Sequence, residues 1–318
     1  MTASRVRTAE RGTRADSLVD LRPLDPELDL RLRPPTLRRG LAERGSLLDR
    51  LLAASEARVV TIVAPAGYGK TTLLAQWKER ERRPTAWLTL GRGDNDPAAL
   101  LSSIAVALHR AGLIATDALA AVRFTPDTIL SEGVARVAYA VESHGIPGVL
   151  MLDNAESLRG RAAIDAIGEL AVRLPDTLQM VVASRSALGL PVGLLRSQGA
   201  LMELSSSDLA MTDGEGRELL EAIGVDIRDD LTPLMERTEG WPVGLFLVGL
   251  ALAAGAPRQA ALEIKGDDRF IADYLRDEVL GRLSDARASF LTRTSILSKL
   301  SGPLCDAVLE SSGSARIL

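Results

Sequence analysis

One stretch limits the fold of this chain more than any other. Val59-Val60-Thr61-Ile62-Val63 runs straight into Ala64-Pro-Ala-Gly-Tyr-Gly-Lys-Thr-Thr72 and then into a helical stretch, Leu73 to Glu79. A short β-branched run of this kind reads as a strand buried on both faces, which needs a parallel sheet covered by helices. The loop after it matches the phosphate-binding pattern, with Ala64 at its first glycine position. Gly67 and Gly69 can turn successive N–H groups inward as a nest for phosphate oxygens. The helix starting near Lys70 adds its positive N-terminal end. Lys70 supplies a mobile cation for the β and γ phosphates, and the Thr71 hydroxyl can ligate magnesium. The chain has four lysines, and one of them falls here. A glycine-rich turn with a solvated lysine is the plainer alternative. The order strand, loop, helix favours a nucleotide site.

The flanking sequence is consistent with such a sheet. Further strands read at Thr85 to Leu90, Gly148 to Asp153, Leu178 to Ser184 and Leu201 to Leu204, with helical periods at about 43–54, 96–111, 128–142 and around Ile164 to Ala171. Strands alternating with helices predict a doubly covered parallel five-stranded sheet, a P-loop NTPase fold. After Ser205 the period is helical throughout: 212–223, 229–239, 242–254, 267–282, 284–294 and 302–310. The period divides the chain into an Arg-rich loose arm at 1–36, a P-loop NTPase domain at 37–205 and a helical part from 206 onward.

A P-loop protein needs a second magnesium anchor, an acid at the end of a neighbouring buried strand. Asp153 ends Val149-Leu150-Met151-Leu152 and fits that role, although Asp-Asn is also good turn chemistry. Asn154 follows. An amide can orient a water but cannot take its proton, and a missing carboxylate would cost about 10²–10⁴ in rate. Binding is therefore a safer expectation than turnover. Arg185, after Val181-Val182-Ala183-Ser184, could reach a γ phosphate; a surface arginine in a loop reads equally well.

Composition excludes other classes. The net charge of −4 gives no general electrostatic reason to bind nucleic acid, and the first 50 residues interleave 11 arginines with 8 acids. One cysteine, Cys305, and two histidines, His109 and His144, leave no disulfide framework and no histidine- or cysteine-built metal centre. No secretory signal is visible. The uncharged stretch from Trp241 to Pro257 is broken by Pro242, Gly244 and Gly249 and reads as a core helix, so a cytoplasmic protein is expected. Asp94 and Asp96 could suggest a metal pair, but Asp96-Pro97 reads as a helix cap.

Several motifs together resemble one family: Leu32-Arg-Pro-Pro, Glu43-Arg44, the loop Ala64–Thr72, Ala183-Ser-Arg185, Thr238-Glu-Gly-Trp-Pro242 and Asp268-Arg-Phe-Ile-Ala-Asp-Tyr-Leu275. The pattern is similar to the NTPase region of MalT-type, LuxR-family ATP-dependent regulators, within the STAND group of signalling ATPases, over residues 31–318. The resemblance implies an ATP/ADP switch with Mg²⁺. Its nucleotide-binding residues would be Ala66, Gly67, Tyr68, Gly69, Lys70, Thr71 and Thr72, with Pro242 against the base or ribose and Arg44 near the adenine. Thr71 and Asp153 would hold the metal, and Asp153, Asn154 and Arg185 would form the catalytic group. It also implies self-association in the ATP-bound form, with hydrolysis slow or absent because Asn154 stands where many members carry a second acid. The resemblance further implies an all-helical domain at 206–283 and the start of a winged-helix segment at 284–318. Family members continue through that winged helix and a helical-repeat sensor to a C-terminal helix-turn-helix, so Leu318 is expected to fall inside the winged-helix segment, and no direct DNA contact is expected from these residues. The competing expectations are a free-standing P-loop ATPase or phosphotransferase and a non-hydrolysing, ATP-loaded interaction module.

Overall fold

The computed structural model describes residues 26–38, 40–121, 132–226, 231–257, 269–278 and 280–318. Five strands, β1 (Val59–Val63), β2 (Thr85–Thr89), β3 (Gly148–Asp153), β4 (Leu178–Ser184) and β5 (Leu201–Leu204), form one parallel sheet in the order β2-β3-β4-β1-β5. All five lie where the apolar runs predict them. The neighbour relation differs in one respect. β4 lies between β1 and β3, so the Asp153 strand is one place removed from the loop strand instead of beside it.

Alternation along the strands splits the core in two, as a pleat with side chains on both faces must. Leu88, Leu150, Leu152, Met180 and Val182 face one side with Leu101, Ile104, Leu108, Val137, Val141, Ile167 and Leu170. These helical residues come from α4 (Pro97–Arg110), α6 (Val134–His144) and α7 (Arg161–Arg173), α5 being the short turn Thr116–Ala121. Val60, Ile62, Trp87, Met151, Val181 and Ala183 face the other, under Leu47, Leu48 and Leu51 of α2 (Gly45–Ala53) and Leu73, Leu74 and Trp77 of α3 (Lys70–Arg80). Asp96 caps α4 by accepting from the Ala98 N–H at 3.1 Å, ahead of Pro97 at the first position. The part of the expected 128–142 helix before residue 132 lies outside the described residues, as do parts of the 229–239 and 267–282 expectations.

The segment before residue 37, expected to lack regular structure, contains α1 (Pro26–Arg31) where it is described. Arg31 donates from Nε to the Thr89 carbonyl at 2.9 Å and pairs with the buried Asp94 carboxylate. Asp29 pairs with Arg110, and Leu32 enters the sheet core. These contacts dock α1 on the edge strand.

Past α8 (Val192–Ser197) and the single turn α9 (Ser206–Leu209) the chain is helical, as its period predicts. α10 (Asp213–Ala222), α11 (Thr232–Thr238) and α12 (Pro242–Ala253) bury Leu219, Leu220, Leu234, Met235, Leu245 and Val248 in a third core of their own. The helices Arg269–Glu278, Asp285–Thr294 and Gly302–Leu309 follow. Among the described residues no helix is long and apolar enough to cross a membrane.

Candidate nucleotide site

The site lies at the carboxyl ends of β1, β3 and β4, where open parallel sheets leave a crevice. A cavity of about 250 Å³ opens there, lined among others by Gly67, Lys70, Thr71, Asp153, Asn154 and Arg185. Three segments far apart in sequence thus converge as expected. Tyr68, Pro242 and Arg44 do not line this cavity, whereas Glu156 and Val243 do.

The loop takes the shape its glycines allow. Gly67 and Gly69 have φ of +82° and +72°, the left-handed region that costs other residues strain. Gly69 stands at the N-cap of α3, so the first helical N–H groups open toward the cavity. Lys70 Nζ donates to the Ala64 and Pro65 carbonyls at 2.6 and 2.9 Å. Burial lowers its pKa, and the neighbouring Arg185 lowers it further, against the opposing pull of Glu156 and Asp153.

Asp153 is buried at the tip of β3 and accepts from the Thr71 hydroxyl at 2.8 Å. Burial raises its pKa, opposed by the Thr71 hydroxyl and the Asn154 N–H. A cation and an anion, each held at a cost in one small crevice, mark a place that gains from a ligand of complementary charge. Asn154 does something else. It sits at φ +60°, a conformation asparagine tolerates better than most residues, and its amide donates to the Leu90 carbonyl at 3.0 Å and to Ser157 Oγ at 2.8 Å. A carboxylate there could make neither donation. The chain then turns through Ala155–Ser157 and brings Glu156 back to the cavity.

All three guanidinium nitrogens of Arg185 have partners. Its Nε pairs with Glu156 at 2.7 Å, Nη2 with the Glu278 carboxylate at 2.9 Å, and Nη1 donates to the Glu278 carbonyl at 3.1 Å. Two more contacts come from the helical part. Trp241 Nε1 donates to the Ala66 carbonyl at 3.1 Å, and the Val243 N–H donates to the Gly67 carbonyl at 3.2 Å. The Trp241 ring meets Tyr274 edge-on, with centroids 5.8 Å apart. Gly240, at φ +67°, lets the Met211 backbone approach so closely that a side chain would lie 2.7 Å from its carbonyl oxygen. Pro242 is the first residue of α12 and is buried. Arg44 is buried away from the cavity: its Nε pairs with Glu215 at 2.9 Å and its Nη2 donates to the Ala210 carbonyl at 3.2 Å.

Sequence reasoning missed Glu156, Val243 and Glu278. Glu156 had a signal, an acid one tight turn after Asp153. Val243 and Glu278 had none, since each meets the site only through the fold.

The sheet and its loop define a P-loop NTPase domain. Residues 53–189 match the AAA domain family, and residues 276–318 match the MalT winged helix domain. The chain is 29% identical over 301 residues to the serine/threonine-protein kinase PknK of Mycobacterium tuberculosis, covering 90% of this chain and 26% of that protein. It is 29% identical over 285 residues to the HTH-type transcriptional regulator MalT of Cronobacter sakazakii, covering 86% and 31%. Among solved structures it is similar to the STAND protein with a tetratricopeptide repeat sensor from Pyrococcus horikoshii, with a TM-score of 0.44 and 15% identity over 84% of this chain and 36% of that one. It is also similar to the Aeropyrum pernix ORC1 protein, with a TM-score of 0.46 and 18% identity over 85% and 77%. This chain is MalT-like: an AAA-type P-loop domain that continues through a helical region into MalT-type winged-helix sequence. It spans about a quarter to a third of the length of these curated relatives.

Proposed function

We propose that these residues form the ATP/ADP-binding switch module of a MalT-like transcriptional regulator, acting in the cytoplasm and hydrolysing ATP slowly. One observation carries the reading. The loop that would cradle the phosphates is held by the helical part through Trp241 and Val243, and the cavity arginine, Arg185, is held by Glu278 at the start of the winged-helix match. A phosphate tail entering the cavity acts on those same groups, so occupancy and the position of the downstream helices are linked. The cavity is below the roughly 300–1,000 Å³ of ordinary small-molecule sites, which suits phosphates alone. A whole adenine nucleotide would have to extend beyond the residues that line it.

In this reading the backbone of Ala66 to Gly69 and the Lys70 ammonium bind the phosphates, with Thr72 following in the first turn of α3. Thr71 and Asp153 hold Mg²⁺. Two protein oxygens suit magnesium, which takes the rest of its octahedron from phosphates and water. Among the described residues no cluster of three or more acids, histidines or cysteines competes for that role. Division at about residues 37–205, 206–283 and 284–318, and self-association of the ATP-bound form, belong to the same proposal.

The test is nucleotide-dependent stabilisation. Saturation at about 100 times the dissociation constant adds about 2.7 kcal/mol, so ADP or MgATP should raise the melting temperature of the wild type. Lys70→Ala should abolish that rise. A rise of equal size in the variant would refute the assignment of the loop, and steady turnover with a small acceptor molecule would favour a phosphotransferase.

A further inference from the structure

We propose that Glu156, and not the residue beside Asp153, is the carboxylate that accepts a proton from the attacking water, and that Arg185 keeps it from doing so until a γ phosphate is present. This rests on the nucleotide-binding reading above. The cavity is lined by a second carboxylate besides Asp153, that of Glu156. Asp153 is committed to the Thr71 hydroxyl, and the Asn154 amide to Leu90 and Ser157. Position 154 is filled by a turn-forming donor, and the base is displaced to the far side of that turn.

The two oxygens of Glu156 are held differently. Oε2 accepts from the Arg185 backbone N–H at 3.2 Å, and Oε1 faces Arg185 Nε at 2.7 Å. The backbone partner is fixed at the tip of β4, whereas the guanidinium can leave. An arginine drawn onto phosphate oxygens would free Oε1 while Oε2 stays anchored, leaving an oriented, unpaired carboxylate. The reaction is then hydrolysis in the ordinary sense. Water oxygen bonds to the γ phosphorus, the bond from phosphorus to the β–γ bridging oxygen breaks, the water proton passes to Glu156, and ADP and inorganic phosphate leave. Because Arg185 also holds Glu278, the arginine must give up that helix as well, which makes release of the base and release of the helix one event.

Glu156→Gln in the full chain tests this. Glutamine keeps an acceptor for the Arg185 N–H but cannot take a proton. Single-turnover phosphate release from MgATP should fall about 10²–10⁴-fold, with MgATP affinity by calorimetry unchanged and no recovery in Glu156→Gln combined with Asn154→Asp. If Glu156→Gln does not fold, Glu156→Asp, which retracts the carboxylate, should show a smaller fall with affinity again kept. Release within about threefold of wild type in the folded variant would overturn the assignment and leave Glu156 as a positioning residue for Arg185 alone. A wild type that binds MgATP and releases no phosphate would overturn it too. Failure of the wild type to bind any adenine nucleotide would instead sink the switch reading, a result calorimetry separates from the others.

Discussion

Gly67 and Gly69 offer a matched pair of perturbations of the phosphate loop. Both have positive φ, so alanine at either position costs about 1–2 kcal/mol in backbone strain. The space around them differs. A Cβ on Gly69 would meet nothing within 4 Å, whereas one on Gly67 would lie 2.6 Å from Trp241 Nε1 and 2.9 Å from the Tyr274 hydroxyl. Gly67→Ala must therefore also push Trp241 off the Ala66 carbonyl, losing about 1 kcal/mol of hydrogen bond and up to about 1 kcal/mol of ring contact with Tyr274. At about 2–4 °C per kcal/mol for a domain of this size, Gly69→Ala should lower the melting temperature of the nucleotide-free protein by about 4 °C and Gly67→Ala by about 9 °C. Most of the added loss belongs to the tryptophan, so in a Trp241→Ala background the gap between the two alanine variants should shrink to what the Tyr274 hydroxyl contributes. Thermal unfolding followed by circular dichroism would measure the wild type and the five variants. An equal loss for both glycines in the wild-type background, or an undiminished extra loss for Gly67→Ala without Trp241, would refute the idea that the helical part rests on the loop.

Two further outcomes follow from buried charges. Asp153 has its folded-state pKa raised by burial, so its favourable contribution is complete below the ordinary value of 3.8 and is lost as pH rises through the raised one; at neutral pH its charge is a cost. Asp153→Asn should accordingly stabilise the nucleotide-free protein at about pH 7 and lose that advantage toward about pH 4, while weakening the magnesium-dependent nucleotide shift; a pH-independent gain would contradict this. Arg44→Ala strands Glu215 and should cost about 3 kcal/mol, as breaking one side of a buried pair does, while Arg44→Ala combined with Glu215→Ala should recover part of it. Denaturant titration checks the coupling, and strictly additive losses would argue against the pair.

The strands were readable because burial on both faces leaves an uninterrupted apolar run, and Asp153 and Arg185 because they end such runs. Strand order was not readable, since a run of valines records that a strand is buried and not beside what. The docking of α1 escaped notice for a similar reason. A six-residue helix offers little period, and its anchor, Asp94, lies 63 residues from Arg31. Arg44, expected near the adenine, carries no sign in the sequence of the partner 171 residues away with which it pairs. The family pattern puts a second acid next to Asp153, and the left-handed turn at Asn154 that brings Glu156 to the cavity is visible only in three dimensions.

Arg44 fastens the Ala210 carbonyl, and Arg50 grips Asp208 in the turn before it, so the connection between sheet and helices is tethered where it leaves β5. Met211 in turn donates to the Gly240 carbonyl, which places Trp241 within one bond of the tethered point. The link at Ala210 is independent of the contacts that Trp241 and Glu278 make at the cavity, so losing those contacts would leave the helices attached at one end and turn them about that end.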